Sequence, residues 1–373
     1  MMRMVRFRLL FLLTLIWVVP GAGLQAQDEA FSRHDMLASI GTQVILPLHQ
    51  EFASRTGRLA AITQQFEREP TLETLQQAQE EWRAASVLWQ QAAIFRIGRM
   101  ALVLHSPIDN RIPAAVNLIE ATIAGSDRID PESVVSLGSS ATGLAASEYL
   151  LFGSKQTPEQ VLAAFTDGEA GIRRRQYLAA STALLQQQAS TLLNYWLPGS
   201  DGYLDTFTDA DDPSDVRESI SMLANAMIAS LETVVQMDMG VPLGITTGTL
   251  SPELTRAPYS GDGLAYLDGY FDGLWAAFTG ERTDEAQLGL DDYLDLLGAG
   301  YDGVLLSQII RDQMVRIRES IEAVDLPLRQ AIENDYASVA RIFQESRVLL
   351  TMLKADMVSQ LGLTITFSDN DGD

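Results

Sequence analysis

The stretch Thr142–Gly153 places one carboxylate among apolar side chains. Glu148 is the only formally charged residue between Glu132 and Lys155, and its neighbours at helical spacing are all apolar: Leu144, Ala145, Leu151 and Phe152. If this stretch is a helix, the carboxylate points into the packed side of the protein. A buried carboxylate must find a cation or hydrogen-bond donors, or else take up a proton. Glu148 is therefore the first candidate for a functional residue.

The alternative is a structural role, in which Glu148 pairs with an arginine of a neighbouring helix. The run Arg173, Arg174 and Arg175 could supply such a partner, although a run of like charges is more often a solvated helix face. From these residues alone, both interpretations stay open.

A second group of polar residues lies in the run 105–113, which we predict to be a loop. It holds His105 close to Asp109 and Arg111. Of the other histidines, His34 lies near the mature N-terminus, and His49 lacks helical His/Glu spacing because Glu51 follows only two residues later. None of the three has the spacing of a zinc-protease helix. The sequence also lacks a nucleophile elbow and a phosphate-cradling glycine loop. Among the histidines, His105 is the one to examine.

Hydrophobic periodicity predicts helices along nearly the whole chain. The first two are long: 35–66, which Pro47 must bend or interrupt, and 71–97, with Trp82 and Trp89 on one face. Further helices are predicted at 143–153, 167–196, 213–239, 263–279, 301–324 and 326–362. The only short strand candidate is 364–367. The predicted fold class is all-α.

The composition changes to Pro, Gly and Asp between 197 and 215. Six aspartates lie in this stretch, but they lack the ligand spacing and closing Glu of an EF-hand, so a solvated linker is the better interpretation. We therefore predict helical domains at 27–200 and 216–373, joined by an acidic linker at 201–215.

The segment 1–26 is predicted to be a secretory signal peptide. Arg3, Arg6 and Arg8 precede an apolar run that ends in small residues, and no later membrane span is expected. Removing these three arginines changes the formal charge from -23 to -26. Such a surface repels nucleic acid and favours cations and basic partners. Without any cysteine there is no lipid-anchor Cys and no disulfide. The expected location is the periplasm or cell envelope.

The stretch around Glu148 also resembles the signature of the imelysin-like family of bacterial envelope proteins. That signature reads Gly-x-His-x-x-Glu, followed by an apolar tail, and Gly143, Glu148 and Tyr149–Gly153 match it. The similarity extends along the mature chain, through the Trp helix 81–98, the pair Arg111–Ile112, the segment 257–260 and the closing Asp371–Asp373. The motif histidine, however, is replaced by Ala145.

The resemblance implies an all-α fold of two four-helix-bundle-like domains with internal pseudo-symmetry, and a pocket at their interface. It implies a role in bacterial iron uptake, in a family first classed as metallopeptidases. The site residues carried over are Gly143, Glu148, Arg111, Tyr259 and Ser260, with Glu148 as the metal-binding residue.

The replacement by Ala145 changes the expected chemistry. A His and a Glu three residues apart on a helix can both face one metal, whereas a methyl group offers no ligand. A metal site would then depend on Glu148 with oxygen ligands from elsewhere, such as Asp109, Ser147 or Tyr259. Oxygen ligands suit hard cations, so the expected ligand is iron or another cation.

Three functions compete on these grounds. The first is a periplasmic binding or accessory protein in iron or other metal uptake, acting with envelope uptake proteins through a pocket at Glu148. The second is a helical protein-interaction module with a degenerate ligand site, in which Glu148 pairs with Arg111 or Arg256. The third is a metallopeptidase, which needs a metal-activated water and a base and is disfavoured by the missing His.

Overall fold

Apolar side chains spaced three and four residues apart fold most of the chain into helices that each bury one face. The computed structural model describes residues 31–110, 114–199, 202–209, 218–282 and 286–364. Within these residues the fold is all-α, as predicted, apart from one hairpin of two short strands.

The first part of the chain contains the helices that carry the site. They are α1 (Arg33–Ser39), which continues through a π-helical turn (Ile40–Ile45) into α2 (Leu46–Arg68), then α3 (Leu72–Ala92), α4 (Gly98–Ile108), α5 (Val116–Ala124), α6 (Pro131–Val135), α7 (Gly143–Phe152), α8 (Pro158–Thr166) and α9 (Gly168–Trp196).

The second part completes the fold. It contains α10 (Leu204–Thr208), α11 (Ser219–Thr233) with a π-helical extension (Val234–Gly240), α12 (Gly263–Thr279), α13 (Leu290–Leu296), the strands β1 (Gly300–Tyr301) and β2 (Val304–Leu305), α14 (Leu306–Glu322), α15 (Leu328–Asn334), α16 (Tyr336–Thr351), a π-helical turn (Met352–Met357) and α17 (Val358–Leu361).

Helix α3 is the centre of the packing around the site. Its start is fixed by a capping box, in which Thr71 and Thr74 exchange side-chain to backbone hydrogen bonds of 3.2 Å. Helix α2 packs along both α3 and α9. In this core the ring of Phe52 lies 5.2 Å from that of Trp89. Burial of these large side chains makes α3 a rigid support.

Two side chains of α3 hold α7 in place. Trp82 Nε1 donates a 3.0 Å hydrogen bond to the carbonyl of Leu144, and Gln79 Nε2 donates one of 2.7 Å to the carbonyl of Leu151. The second of these carbonyls belongs to the last turn of α7, where backbone acceptors have no partner within the helix. The helix that carries Glu148 is thus attached to α3 at both ends.

Helix α12 also packs against α3. The helices approach closely because Gly273 faces the backbone of Gln91, where an added Cβ would lie 2.6 Å away. At the start of α12, Asp262 pairs with Arg83 of α3 at 2.9 Å, which fixes the end of the preceding loop. Helices α14 and α16 pack against each other in the remainder of the fold.

Two local predictions were wrong. The run 105–113 is not a loop from its start, because α4 extends to Ile108 with Pro107 in its last turn. Proline removes one backbone donor there, but the N–H of Asp109 still donates to the carbonyl of His105 at 3.0 Å. The predicted helix 301–324 begins later, at Leu306, because Asp302 and Gly303 have left-handed φ angles of 52° and 82° and turn the chain into the hairpin of β1 and β2.

The division into two bundles is not confirmed and stays a prediction. By its internal contacts the chain separates Met1–Phe31 from Ser32–Asp373, and the latter forms one compact unit. Of the predicted linker 201–215, residues 202–209 are described and contain the short helix α10, whose Leu204 and Phe207 are buried. The rest of the linker lies outside the described residues, as do the predicted signal peptide 1–26 and the closing Asp371–Asp373.

One helical stretch among the described residues, Ser219–Gly240, is long and apolar enough to cross a membrane by length and composition. Half of its most apolar part is buried inside the protein, which is what a core helix of a soluble protein would also show. The absence of a membrane span after residue 26 therefore stays a prediction.

Candidate functional site

The start of α7 lies against the end of α4. Gly143, the first residue of α7, has a left-handed φ of 68°. A Cβ at this position would lie 2.3 Å from the carbonyl oxygen of Ile108 and 2.5 Å from that of Pro107. Position 143 therefore requires glycine for two reasons: its backbone angle disfavours other residues, and a side chain would clash with the end of α4. It brings α7 close enough to α4 for Glu148 and Asp109 to line one cavity.

Glu148 is buried, as predicted from its apolar neighbours, with 3% of its surface exposed. Its Oε1 accepts three hydrogen bonds from the loop 255–262: from the backbone N–H of Tyr259 at 3.0 Å, the N–H of Ser260 at 2.8 Å and the Oγ of Ser260 at 2.9 Å. Such charge-assisted bonds are the strong ones in proteins. The carboxylate thereby ties the loop to α7.

The loop 255–262 is shaped to present these donors. Ala257 is buried and has a left-handed φ of 48°, which is unusual for a residue other than Gly, Asn or Asp. The N–H of Gly261 donates to the carbonyl of Ala257 at 3.1 Å and closes the turn. Asp262 then pairs with Arg83 of α3 at 2.9 Å. The strained turn is held from both sides, which is the usual condition for strain to persist.

The second charged pair of the site joins Arg256 to Asp109. The Nη2 of Arg256 donates to Asp109 Oδ2, which also accepts from Gln90 Nε2 at 3.1 Å. The guanidinium lies over the ring of Tyr266, 5.5 Å from its centroid, in a cation–π contact. Burial alone would lower the pKa of Arg256, but Asp109 and other nearby negative groups raise it above its usual value. Arg256 is therefore a permanent buried cation.

Glu148 is electrostatically different from Asp109. Burial raises the pKa of Glu148 from 4.5 to about 7, although the hydrogen bonds of Ser260 and Tyr259 and the charge of Arg256 act in the opposite direction. At neutral pH this carboxyl group can therefore gain or lose a proton.

These groups surround a cavity of about 20 Å³. A cavity needs roughly 10–15 Å³ to admit one water molecule, so this one has room for one or two guests of that size. Its lining combines polar and apolar groups from α7, the end of α4, the loop 255–262 and α12: Asp109, Asn110, Ala114, Ala145, Glu148, Thr255, Arg256, Ala257, Pro258, Tyr259 and Tyr266. The methyl group of Ala145 faces the cavity where the family motif has a histidine.

The structure brings most of the predicted site residues together. Glu148 and Tyr259 line the cavity, Ser260 bonds to Glu148, and Gly143 acts through the approach of α7 to α4. Arg111 lies outside the described residues. Ser147, considered as a ligand, instead donates to the carbonyl of Gly143 at 2.9 Å within the helix.

The described arginines proposed as ion-pair partners of Glu148 form hydrogen bonds with other groups instead. Arg256 forms its hydrogen-bonded pair with Asp109 and reaches Glu148 only through its charge. Arg174 pairs with Glu120 at 2.5 Å, and Arg173 donates to backbone carbonyls, including that of Ile123 at 2.8 Å. The pair of Arg256 and Asp109 was missed because their separation of 147 residues leaves no periodic signal.

The histidines do not contribute to the cavity. His49 is buried with its Nδ1 2.7 Å from the carbonyl of Ile45, and burial lowers its pKa to about 4. The ring of His105 lies 5.2 Å from that of Trp89. Among the described residues no group of three or more His, Cys, Asp or Glu side chains is placed to hold a metal ion. Any cation in the cavity must therefore use hydroxyl, amide or backbone oxygens as well as carboxylates.

Comparison with known proteins identifies the family to which this chain belongs. The family model described as imelysin, peptidase M75, matches residues 45–342. The iron-regulated protein A of Synechococcus elongatus is 21% identical over 330 residues, covering 86% of this chain and 84% of that protein.

Two solved structures share the fold. A protein described as an iron-regulated protein A precursor from Parabacteroides distasonis has a TM-score of 0.71 at 19% identity, over 88% of this chain and 95% of its own. An imelysin-like protein from Psychrobacter arcticum has a TM-score of 0.64 at 14% identity, over 90% of this chain and 98% of its own.

The first prediction concerns Gly143. Gly143→Ala should lower the free energy of unfolding by more than about 3 kcal/mol, since it adds an unfavourable backbone angle and a clash with two carbonyls. The matched control is Gly362→Ala, at a glycine that also has a left-handed φ, of 65°, but has nothing within 4 Å of the added Cβ. It should cost only about 1 kcal/mol. Urea unfolding of both variants measures the difference, and equal losses would contradict the close approach.

The second prediction concerns the proton on Glu148. Because the folded protein has the higher pKa, its native state binds this proton more tightly, and the contribution to stability falls as pH rises from 4.5 to about 7. Relative to Glu148→Gln, which keeps the acceptor oxygen, the wild type should lose about 3 kcal/mol over that window. Urea unfolding of both proteins at pH 4.5 and pH 8 tests this. A pH-independent difference between them would show that the pKa is not raised.

Proposed function

The chain belongs to the imelysin family, and from this premise we propose that it is a binding or accessory protein in bacterial iron uptake that takes a cation into the cavity at Glu148. The proposal depends mainly on the buried carboxylate of Glu148. This carboxylate lines a small cavity and has few direct partners of opposite charge. The relatives from Synechococcus and Parabacteroides are named for regulation by iron, and this connection to iron is our reason for choosing iron as the cation.

One carboxylate oxygen of Glu148 is available to a bound ligand. All three hydrogen bonds from the loop end at Oε1, and no donor to Oε2 is found among the described residues. A carboxylate fixed through one oxygen is oriented before the guest arrives, which reduces the cost of binding. The loop 255–262 thus acts as the support that orients the ligand oxygen.

The donors around the cavity suit a hard cation. They are the oxygens of Glu148, Asn110, Thr255 and Tyr259, while Ala145 contributes only a methyl group. All-oxygen sites favour hard ions such as ferric iron over zinc, which prefers nitrogen and sulfur. Asp109 is less available because it is paired with Arg256.

Peptidase activity is not supported by the same geometry. It would need a metal held firmly by the protein, a bound water and a nearby base. The described residues offer no group of three metal-ligating side chains, and the position of the motif histidine holds Ala145. We therefore place binding ahead of catalysis.

We place the protein in the periplasm or cell envelope, in agreement with the segment 1–26, where it would act with envelope uptake proteins. The strongly acidic mature charge favours cations around the surface. The precursor described for the Parabacteroides relative is compatible with an exported protein.

A helical interaction module is the second candidate. It is favoured by the completeness of the network in which Glu148 joins α7 to the loop 255–262 and Asp109 joins α4 to Arg256. In that case the buried charged groups only stabilise the fold and bind no ligand. Breaking a buried pair from one side typically costs about 3–5 kcal/mol, so a loss of stability by itself does not decide between the candidates.

The third prediction distinguishes the iron-binding protein from the interaction module. Residues 27–373, purified without a chelating tag, should bind about one ferrous ion per chain in anaerobic calorimetric titration. Glu148→Gln should weaken this binding more than about 10-fold, which is what even an outer-shell partner of a metal contributes. Uptake should also be stronger at pH 8 than at pH 6, because the carboxyl group must lose its proton to bind.

The control is Asp291→Asn. Asp291 is also a buried carboxylate, paired with Arg311, and its pKa is raised to about 6 by burial, but it does not line the cavity. This variant should bind iron like the wild type. No uptake by the wild type, or uptake unchanged in Glu148→Gln, would refute the proposed site and favour the interaction module.

A further inference from the structure

Large apolar side chains lie exposed at the end of α13 and in the hairpin that follows it. Between residues 296 and 305 there are five of them, each between 42% and 59% exposed: Leu296, Leu297, Tyr301, Val304 and Leu305. Single exposed apolar residues are ordinary on protein surfaces, but a group of them in one place marks a surface of interaction. We call these five side chains the hairpin patch.

The hairpin is fixed at its base and open on both faces. The N–H of Leu306 donates to the carbonyl of Ala299 at 2.9 Å, and both residues are buried. Beyond this base, Tyr301 is paired with Val304 across the two strands, so their side chains share one face, whereas Leu305 points to the other face. Because all three are exposed, apolar surface faces outward on both sides of the hairpin.

The edges of the hairpin are also open. In the part of the chain that the structure describes, no third strand lies beside β1 or β2. The outer edge of each strand therefore presents backbone N–H and C=O groups to another extended chain. Proteins usually protect such edges with charged side chains, lysine above all, or with proline, but the two strands consist of Gly300, Tyr301, Val304 and Leu305. The strands themselves therefore lack these protections.

The charge around the hairpin patch is negative. The segment 286–310, which contains the whole patch, has no Lys or Arg and has four aspartates: Asp291, Asp292, Asp295 and Asp302. Asp302 is exposed in the turn between the strands. Asp356, from the π-helical turn before α17, accepts a 3.1 Å hydrogen bond from the hydroxyl of Tyr301. One carboxylate therefore lies at the turn of the hairpin and another beside the ring of Tyr301.

The basic residues that flank this surface in the sequence are already paired. Arg311, the first basic residue after the hairpin, and Lys354, just before Asp356, each form an ion pair with an acidic side chain elsewhere. Among the described residues, Asp302 and Asp356 form no ion pair of their own. A partner with a complementary surface therefore has to bring positive charge together with apolar side chains.

We propose that the hairpin patch docks an extended segment of a partner protein in which Lys or Arg stands beside apolar side chains. The apolar side chains of that segment cover the patch, and its cations lie against Asp302 and Asp356. A second copy of this chain matches the surface less well, because it brings the same aspartates against one another. An anionic lipid surface is repelled for the same reason. Because the patch shares no residue with the lining of the cavity at Glu148, docking does not depend on iron binding.

The fourth prediction uses a short synthetic peptide in which Lys and Val alternate, labelled with a fluorophore at one end. Fluorescence anisotropy at increasing concentrations of residues 27–373 should show binding with a dissociation constant below about 100 μM, as suits a small, transient interface. Replacing Lys by Glu in the peptide, or Val by Ser, should each weaken binding by more than about 10-fold, because the first reverses the charge and the second removes the apolar contact. Added salt should weaken binding as well.

Variants locate the binding on the hairpin. Val304→Ser removes an exposed apolar side chain of the patch and should weaken peptide binding about 5- to 10-fold. Asp302→Asn keeps a residue that tolerates the left-handed turn and should weaken it about 2- to 5-fold, the value of one exposed ion pair. The controls are Leu102→Ser on α4, where the side chain is 52% exposed, and Asp127→Asn, which is also exposed. Both should bind the peptide like the wild type, and circular dichroism of each variant verifies folding.

Several results would overturn the proposal. No binding of the peptide of Lys and Val, equal binding of its Glu version, or equal losses in Val304→Ser and Leu102→Ser would each do so. Self-association of the wild type in analytical ultracentrifugation, abolished by Val304→Ser, would instead assign the patch to a second copy. Binding to phosphatidylglycerol vesicles, abolished by the same change, would assign it to a lipid surface. Iron titration of Val304→Ser should match the wild type, so a failure of the iron-binding function would leave the peptide result unaffected.

Discussion

The site depends on the attachment of the loop 255–262 to the carboxylate of Glu148. Three donors converge on Oε1, two of them backbone N–H groups whose direction is set by the left-handed turn at Ala257. Without this carboxylate the turn would be strained and its buried N–H groups unpaired, which proteins rarely tolerate. The same bonds fix the orientation of the carboxylate group, which lines the cavity. One interaction therefore both closes the fold locally and fixes a carboxylate at the cavity wall.

The two carboxylates of the cavity have different roles because their partners differ. Asp109 is paired with a permanent cation, Arg256, whereas at Glu148 burial outweighs the hydrogen bonds and raises the pKa to about 7. A group with a pKa near neutrality can exchange its proton for a metal ion at little cost. Ala145 offers no ligand atom, so a metal ion in this cavity would have to be bound by oxygen atoms.

Part of this arrangement could be predicted from sequence. The burial of Glu148 follows from its apolar helical neighbours, and the all-α class from periodicity, since both signals are local. The pairing of Arg256 with Asp109 could not be predicted, because it depends on how distant segments pack. The end of α4 was missed for another reason: Pro107 and the polar residues that follow it suggested a loop, because proline usually ends a helix, yet α4 continues one residue past it. Arg111 lies outside the described residues and stays a prediction.

Anomalous diffraction at the iron edge, from crystals of residues 27–373 grown with iron, would show whether the cavity binds iron. We expect a single strong peak in the cavity, within bonding distance of Glu148 Oε2 and on the side of the cavity that Ala145 leaves open. A crystal that contains iron elsewhere on the acidic surface, with the cavity filled only by water, would contradict it. In that case Glu148 would serve the fold, and the family's link to iron would have to act through another surface of this protein.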